Sequence, residues 1–288
     1  MFTCRHSRLM LVAVSCLLIF AAQPALSADN GFCVALVSDT HLGRTSAQQM
    51  TKVIEDVNAS SAELVFFLGD LVESGAKHED LYPQWVSTAK GLNKPWRAVP
   101  GNHDPVDLFC KYVHPETDYV IDHKGWRFIL FNDANTNSHD GFITDAQFDW
   151  IEQKIEEASA KKMKSILITH VAGHKNLHPD VGWWIKDDNG GKRLAGIFEK
   201  HRAAMPVFFS GHFHCGMRGW DDRYGVNEVI IPAIAWNTNR KLESAPGWCI
   251  AEHRSGYVLA EFQSNAIILK YKPVGADVAA EKKLVLPN

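Results

Sequence analysis

Seven residues of metal-binding type stand in five short clusters along this chain: Asp39 with His41, Asp70, Asn102, His170, and His212 with His214. Imidazoles, carboxylates and one carboxamide are the donors preferred by borderline ions such as zinc, manganese or iron. The clusters hold no cysteine, which argues against a thiolate site. Seven donors exceed what one ion needs. Two cations sharing Asp70 would use them all, about 3.5–4 Å apart if they follow other two-metal sites. Asn102 belongs to the densest stretch, Pro100-Gly101-Asn102-His103-Asp104, in which Gly101 provides a turn other residues would resist.

The elements that must position these residues are legible in the hydrophobic pattern. Apolar runs at 33–37, 64–68, 96–99, 127–131, 165–168 and 206–209 read as buried strands, and five of the six end at a cluster. Side chains just past such strands are exposed at the carboxyl edge of a sheet, where α/β proteins build their sites. Helices are predicted between them. Ser46 with Gln49 resembles a capping box before Met50, Val53, Ile54 and Val57, and Thr144 with Gln147 before Phe148, Ile151 and Ile155. Tyr82, Trp85, Val86 and Ala89 mark another helix, and Leu194, Ile197 and Phe198 a short one. The stretch 171–191 is an irregular insertion. Beyond it, runs at 229–231, 249–251, 258–262 and 266–271 lack intervening helices and predict antiparallel strands. Residues 273–288 carry few packing signals and read as a C-terminal tail.

Residues 1–27 have the pattern of an export signal: Arg5 and Arg8, an apolar segment, then Ala25-Leu26-Ser27 as a cleavage site. A lipoprotein reading at Cys16 fits its neighbours poorly. The expected organisation is therefore a signal peptide at 1–27, one domain at 28–272 and the tail. Export places the protein in the periplasm or outside the cell, with no membrane span in the mature chain. Cys33, Cys110, Cys215 and Cys249 would remain, with three pairings open if all four formed disulfides. The formal net charge of −3 offers no general attraction for nucleic acid, and no stable nucleic-acid partner is expected. No protein partner is indicated either. A phosphate-bearing substrate would have to be attracted locally, and bound cations are the obvious means.

In order, Asp39-Thr40-His41, Gly69-Asp70, Gly101-Asn102-His103-Asp104, His170 and Gly211-His212-Phe213-His214 resemble the five motif blocks of the calcineurin-like metallophosphoesterase superfamily. The similarity is greatest to the compact group that contains class III cyclic nucleotide phosphodiesterases. The resemblance implies an α/β fold, a four-layer α/β/β/α sandwich, with a dinuclear site at the carboxyl ends of its central strands. It implies that Asp39, His41 and His214 hold one ion, that Asn102, His170 and His212 hold the other, and that Asp70 bridges. Two divalent or trivalent ions, manganese, iron or zinc, would serve, with a hydroxide between them as the nucleophile.

His103 is not needed as a ligand. Beside the site, it is the candidate to protonate or stabilise the departing alkoxide. Its orienting carboxylate would be Glu73, where related phosphatases carry an aspartate, or Asp104. Glu73 stands where purple acid phosphatases have tyrosine, so a tyrosinate–iron site is not expected. Ser74 and Gly75 replace the arginines of phosphoprotein phosphatases. Arg44, Trp183 and Trp184 are candidate substrate contacts. His174 and His178 read as non-ligand loop residues, and Asp133 and Asn135 as turn formers. The expected function is that of an exported, dinuclear metal-dependent phosphoesterase hydrolysing small phosphodiesters or phosphomonoesters, with cyclic nucleotides among the candidates. A broad-specificity, phosphate-scavenging phosphomonoesterase is one alternative, and a non-catalytic metal- or ligand-binding member of the fold is another.

Overall fold

The computed structural model describes residues 31–75, 78–174, 182–220, 224–238, 242, 245 and 247–287. The expected export segment, 1–27, and His178 lie outside the described residues. Among these, no helix is long and apolar enough to cross a membrane.

The chain alternates strands and helices through its first two thirds. In order these are β1 (Phe32–Val37), α1 (Ala47–Ala59), β2 (Leu64–Leu68), α2 (His78–Ala89), β3 (Trp96–Val99), α3 (Val106–Tyr112), β4 (Tyr119–His123), β5 (Trp126–Leu130), α4 (Asp145–Ala160), β6 (Lys164–Ile168), α5 (Gly191–His201) and β7 (Val207–Ser210). Strands then dominate: β8 (Arg218–Trp220), β9 (Asn227–Ile230), β10 (Trp248–Cys249), β11 (Gly256–Phe262), β12 (Ala266–Pro273) and β13 (Ala280–Val285). They form two mixed sheets, one ordered β13-β12-β11-β1-β2-β3 and the other β10-β8-β9-β7-β6-β5-β4.

Alternation along the strands produces the layers. In β1, Phe32, Val34 and Leu36 join a core shared with Phe128, Ile166, Ile168 and Phe209 of the other sheet. Cys33, Ala35 and Val37 face the opposite way and pack with Met50, Val53, Tyr82 and Trp85 of α1 and α2. On the far side of the second sheet, Ile129, Leu167 and Phe208 meet Phe148, Ile151, Leu194 and Phe198 of α4 and α5. Helices, sheet, sheet, helices is the expected four-layer sandwich.

Both predicted caps form, with one difference. Thr144 and Gln147 exchange both bonds of a capping box. Ser46 accepts from Gln49 N, but the Gln49 side chain donates instead to Ile234 O at 3.0 Å, tying α1 to the loop after β9.

Three expectations need correction. The segment 273–288 is not a loose tail, because β13 pairs antiparallel with β12 from Ala266↔Val285 to Tyr271↔Ala280, with Leu284 and Leu286 buried. The fourth predicted strand is the fifth, since β4 precedes it as the antiparallel partner of β5. The C-terminal strands are not all antiparallel, because β9 runs parallel to β7.

Candidate metal centre

Adjacent parallel strands deliver the seven candidate ligands from both sheets. Asp39 and His41 follow β1, Asp70 follows β2 and Asn102 follows β3. His170 follows β6, and His212 and His214 follow β7. The two sheets are stitched together at this end, where Ile234 N donates to Ser38 O and Ala235 N to Asp39 O. Asp39, His41, Asp70, His212 and His214 all have positive φ, between 43° and 74°. That backbone region costs a residue other than glycine roughly 1–3 kcal/mol and concentrates at functional sites. Glycines let the turns close: a Cβ on Gly101 would lie 2.2 Å from Asp70 Oδ1, and one on Gly69 would strike the His170 ring.

The donors gather as two groups with one shared member. Ligand atoms of Asp39, His41, Asp70 and His214 lie within 4.8 Å of one another, and so do those of Asp70, His170 and His212. Asp70 Oδ2 is 3.4 Å from His41 Nε2 in the first group and 3.3 Å from His170 Nε2 in the second. Asn102 Oδ1 joins the second group, 3.3 Å from His170 Nε2. Asp70 is therefore the one carboxylate common to both groups.

The surroundings leave one nitrogen of each imidazole for an ion. His170 Nδ1 donates to Leu68 O at 2.7 Å, His214 Nδ1 to Trp236 O at 2.9 Å and His212 Nε2 to His139 O at 3.0 Å. His41 Nδ1 faces Glu73 Oε2 at 3.3 Å. Such outer partners fix the tautomer of metal-ligating histidines. Asp39 Oδ2 accepts from the Ser38 hydroxyl and from His212 N. Its Oδ1 is buried without a hydrogen-bond donor among the described residues, 3.2 Å from His214 Nε2 and 3.9 Å from His41 Nε2. A buried carboxylate oxygen in that condition needs a cation.

Electrostatics agree. Burial works against ionisation of Asp70 and Asp39, but the imidazoles of His170 and His214 outweigh it and hold both carboxyls well below the usual range. Burial also disfavours charge on His170, yet the Asp70 carboxylate pulls it up to about 10, while burial and neighbouring His170 push His212 down to about 3. Two buried, ionised carboxylates thus draw positive charge into the cavity. The residues present fit a pair of borderline divalent or trivalent cations.

His103 sits at the rim of this cavity. Its Nδ1 is 3.0 Å from Glu73 Oε1 and 2.8 Å from Ser74 Oγ, and its Nε2 is 4.0 Å from Asp70 Oδ2. Of the two carboxylates considered from sequence, Glu73 is the one that meets it. Asp104 is buried and accepts instead from Leu71 N, Val72 N, Gly101 N and the Tyr82 hydroxyl. Those contacts lock the Gly101–Asn102 turn to the exit of β2. Asp104 is therefore a brace, not the partner of His103.

Tryptophans flank the cavity on two sides. Trp183 stacks on His139 with centroids 4.3 Å apart and lies 5.5 Å from His212. Trp236 packs against His214 and His41, and the exposed Arg44 guanidinium lies 3.9 Å above the Trp236 ring. Trp184 sits beneath the Lys186 ammonium instead. His174 turns its ring to Trp220. No disulfide joins Cys33, Cys110, Cys215 or Cys249 among the described residues.

Several residues that shape the site carried no recognisable motif. Asp133, read as a turn former, is buried and accepts from His170 N and Val171 N, and burial raises its carboxyl to about 6. His139 and Trp236 reach the ligands only through contacts between distant segments, and Ser74 reaches His103 in the same way. Ser38 alone offered a hint, standing directly before Asp39.

A family model described as calcineurin-like phosphoesterase matches residues 33–216. The glycerophosphodiester phosphodiesterase GpdQ of Enterobacter lignolyticus is 28% identical over 63% of this chain and 70% of its own length. A probable cyclic nucleotide phosphodiesterase of Synechococcus is 27% identical over 63% of this chain and 72% of its own. Among solved structures, a dimetal phosphatase from Danio rerio superposes with a TM-score of 0.66 at 13% identity, covering 89% of this chain and 99% of that one, a likeness of fold. The matched segment spans every ligand from Asp39 to His214 together with the strands that place them, and the chain belongs to the calcineurin-like phosphoesterase family.

Proposed function

We propose that this enzyme hydrolyses small phosphodiesters, nucleotide-like ones among them, by in-line attack of solvent on phosphorus at a two-cation centre. The observation that carries the reading is the Asp70 carboxylate set between two histidine groups, with His103 and Glu73 beside it. A site that only stored metal would need no positioned acid. The cations, when bound, supply an activated solvent nucleophile and neutralise the phosphoryl oxygens.

The protein's own groups do the rest. Asp39, His41 and His214 would hold one ion and Asn102, His170 and His212 the other. Glu73 Oε1 stands 3.0 Å from His103 Nδ1 and orients the ring with Nε2 towards the cavity, where a proton on Nε2 would pass to the leaving alkoxide. Arg44 offers a positive charge for a second anionic group of the substrate, and Trp183 offers an aromatic face for a flat one. The names of the two phosphodiesterase relatives favour a diester over a monoester. Export belongs to the same reading, supported by the basic, apolar and small-residue pattern of 1–27.

The test is a panel of bis-aryl phosphate, aryl monophosphate, a glycerophosphodiester and a 3′,5′-cyclic nucleotide, with protein reconstituted in manganese. Faster turnover of diesters is expected. Preference for the monoester would indicate a phosphomonoesterase, and two bound ions with no turnover would indicate a binding protein.

A further inference from the structure

The seven ligands differ in how firmly their chemistry fixes them. A carboxylate can turn either oxygen to a cation, but a carboxamide has one useful face. Rotated by half a turn, Asn102 would present Nδ2, a donor that repels the ion. An asparagine ligand therefore needs a partner that holds Nδ2 on the far side.

We infer that His139 is this partner and is the positioning residue of the second metal site, setting its affinity apart from that of the first. Asn102 Nδ2 lies 3.4 Å from His139 Nδ1, while Oδ1 faces His170 Nε2 at 3.3 Å. The same residue acts again through its backbone. His139 O accepts from His212 Nε2 at 3.0 Å, which leaves His212 Nδ1 as the ligating atom. One residue thus orients two of the three ligands that the second site does not share. Trp183 holds the imidazole in place, stacked at an interplanar angle of 24°. None of the hydrogen bonds made by Asp39, His41 or His214 involves His139 among the described residues.

The consequence is an asymmetric centre whose second site depends on a rim loop. Outer partners of metal ligands are worth about 10–100-fold in affinity. His139 is exposed and its contact with Asn102 is long, so the effect belongs at about the lower end of that range.

The inference rests on the two-cation reading, and one experiment separates the two. Metal-free protein is titrated with Mn²⁺ by calorimetry, and spin coupling between the ions is followed by electron paramagnetic resonance. The wild type should take up two ions. His139→Ala should bind the first ion as the wild type does and the second about 10-fold more weakly, with the melting temperature of the metal-free protein unchanged. His139→Asn, whose Oδ1 can stand where Nδ1 stood, should recover most of the loss. Equal binding by wild type and His139→Ala, equal weakening of both sites, or no recovery in His139→Asn would overturn the inference while leaving the centre intact. A wild type that takes up no pair of ions would remove the two-cation reading and this inference with it.

Discussion

Glu73 Oε1 lies 3.0 Å from His103 Nδ1, and the other oxygen of the same carboxylate lies 3.3 Å from His41 Nδ1. One side chain thus spans a candidate ligand and the candidate acid. Ser74 reinforces it, with its hydroxyl 3.3 Å from Glu73 Oε1 and 2.8 Å from His103 Nδ1.

Glu73→Gln should therefore lower kcat by about 10–100-fold while two ions remain bound. The loss should be larger for alkyl than for aryl leaving groups, because a good leaving group needs little protonation. Steady-state kinetics with metal analysis of the same sample checks this, and unchanged turnover would remove Glu73 from the mechanism.

Asp104→Ala should act on stability first. It strips an acceptor from buried donors on Leu71, Val72, Gly101 and Tyr82, each costing about 1–3 kcal/mol when left unsatisfied. A total of about 4 kcal/mol or more would lower the melting temperature of a chain this size by roughly 8–16 °C or more. A stable variant with a Glu73-like kinetic defect would instead restore Asp104 as the partner of His103.

Gly101→Ala probes the closeness of the turns. The new Cβ would fall 2.2 Å from Asp70 Oδ1 and 2.3 Å from Asp70 N, so the bridging carboxylate must move. Loss of about 100-fold or more in kcat/KM is expected, in line with what a misplacement of about 1 Å costs an active site. Depleted metal content after desalting should accompany it, and full metal occupancy with normal activity would show that Asp70 does not bridge.

The gathering of the seven candidate ligands was legible because each is a polar residue placed just after an apolar run, and the runs announce the strands. Choosing between Glu73 and Asp104 was not possible from sequence, since both sit within three residues of a ligand and only folding decides which way each carboxylate turns. β4 and β13 were missed for a shared reason. Both are edge strands with short or broken apolar runs; β4 reads Tyr-Val-Ile-Asp-His, and β13 reads Ala-Glu-Lys-Lys-Leu-Val with only Leu284 buried. Charge along an edge guards against further pairing and hides the strand from a hydrophobicity pattern. His139 was invisible because its hydrogen bonds to Asn102 and His212 join segments 37 and 73 residues away.

Anomalous diffraction from crystals grown with manganese tests the centre most directly. Two peaks about 3.5–4 Å apart are expected. One should lie among Asp39, His41 and His214, the other among Asn102, His170 and His212, with Asp70 Oδ2 touching both. A single peak, or manganese bound away from these side chains, would contradict the two-cation account.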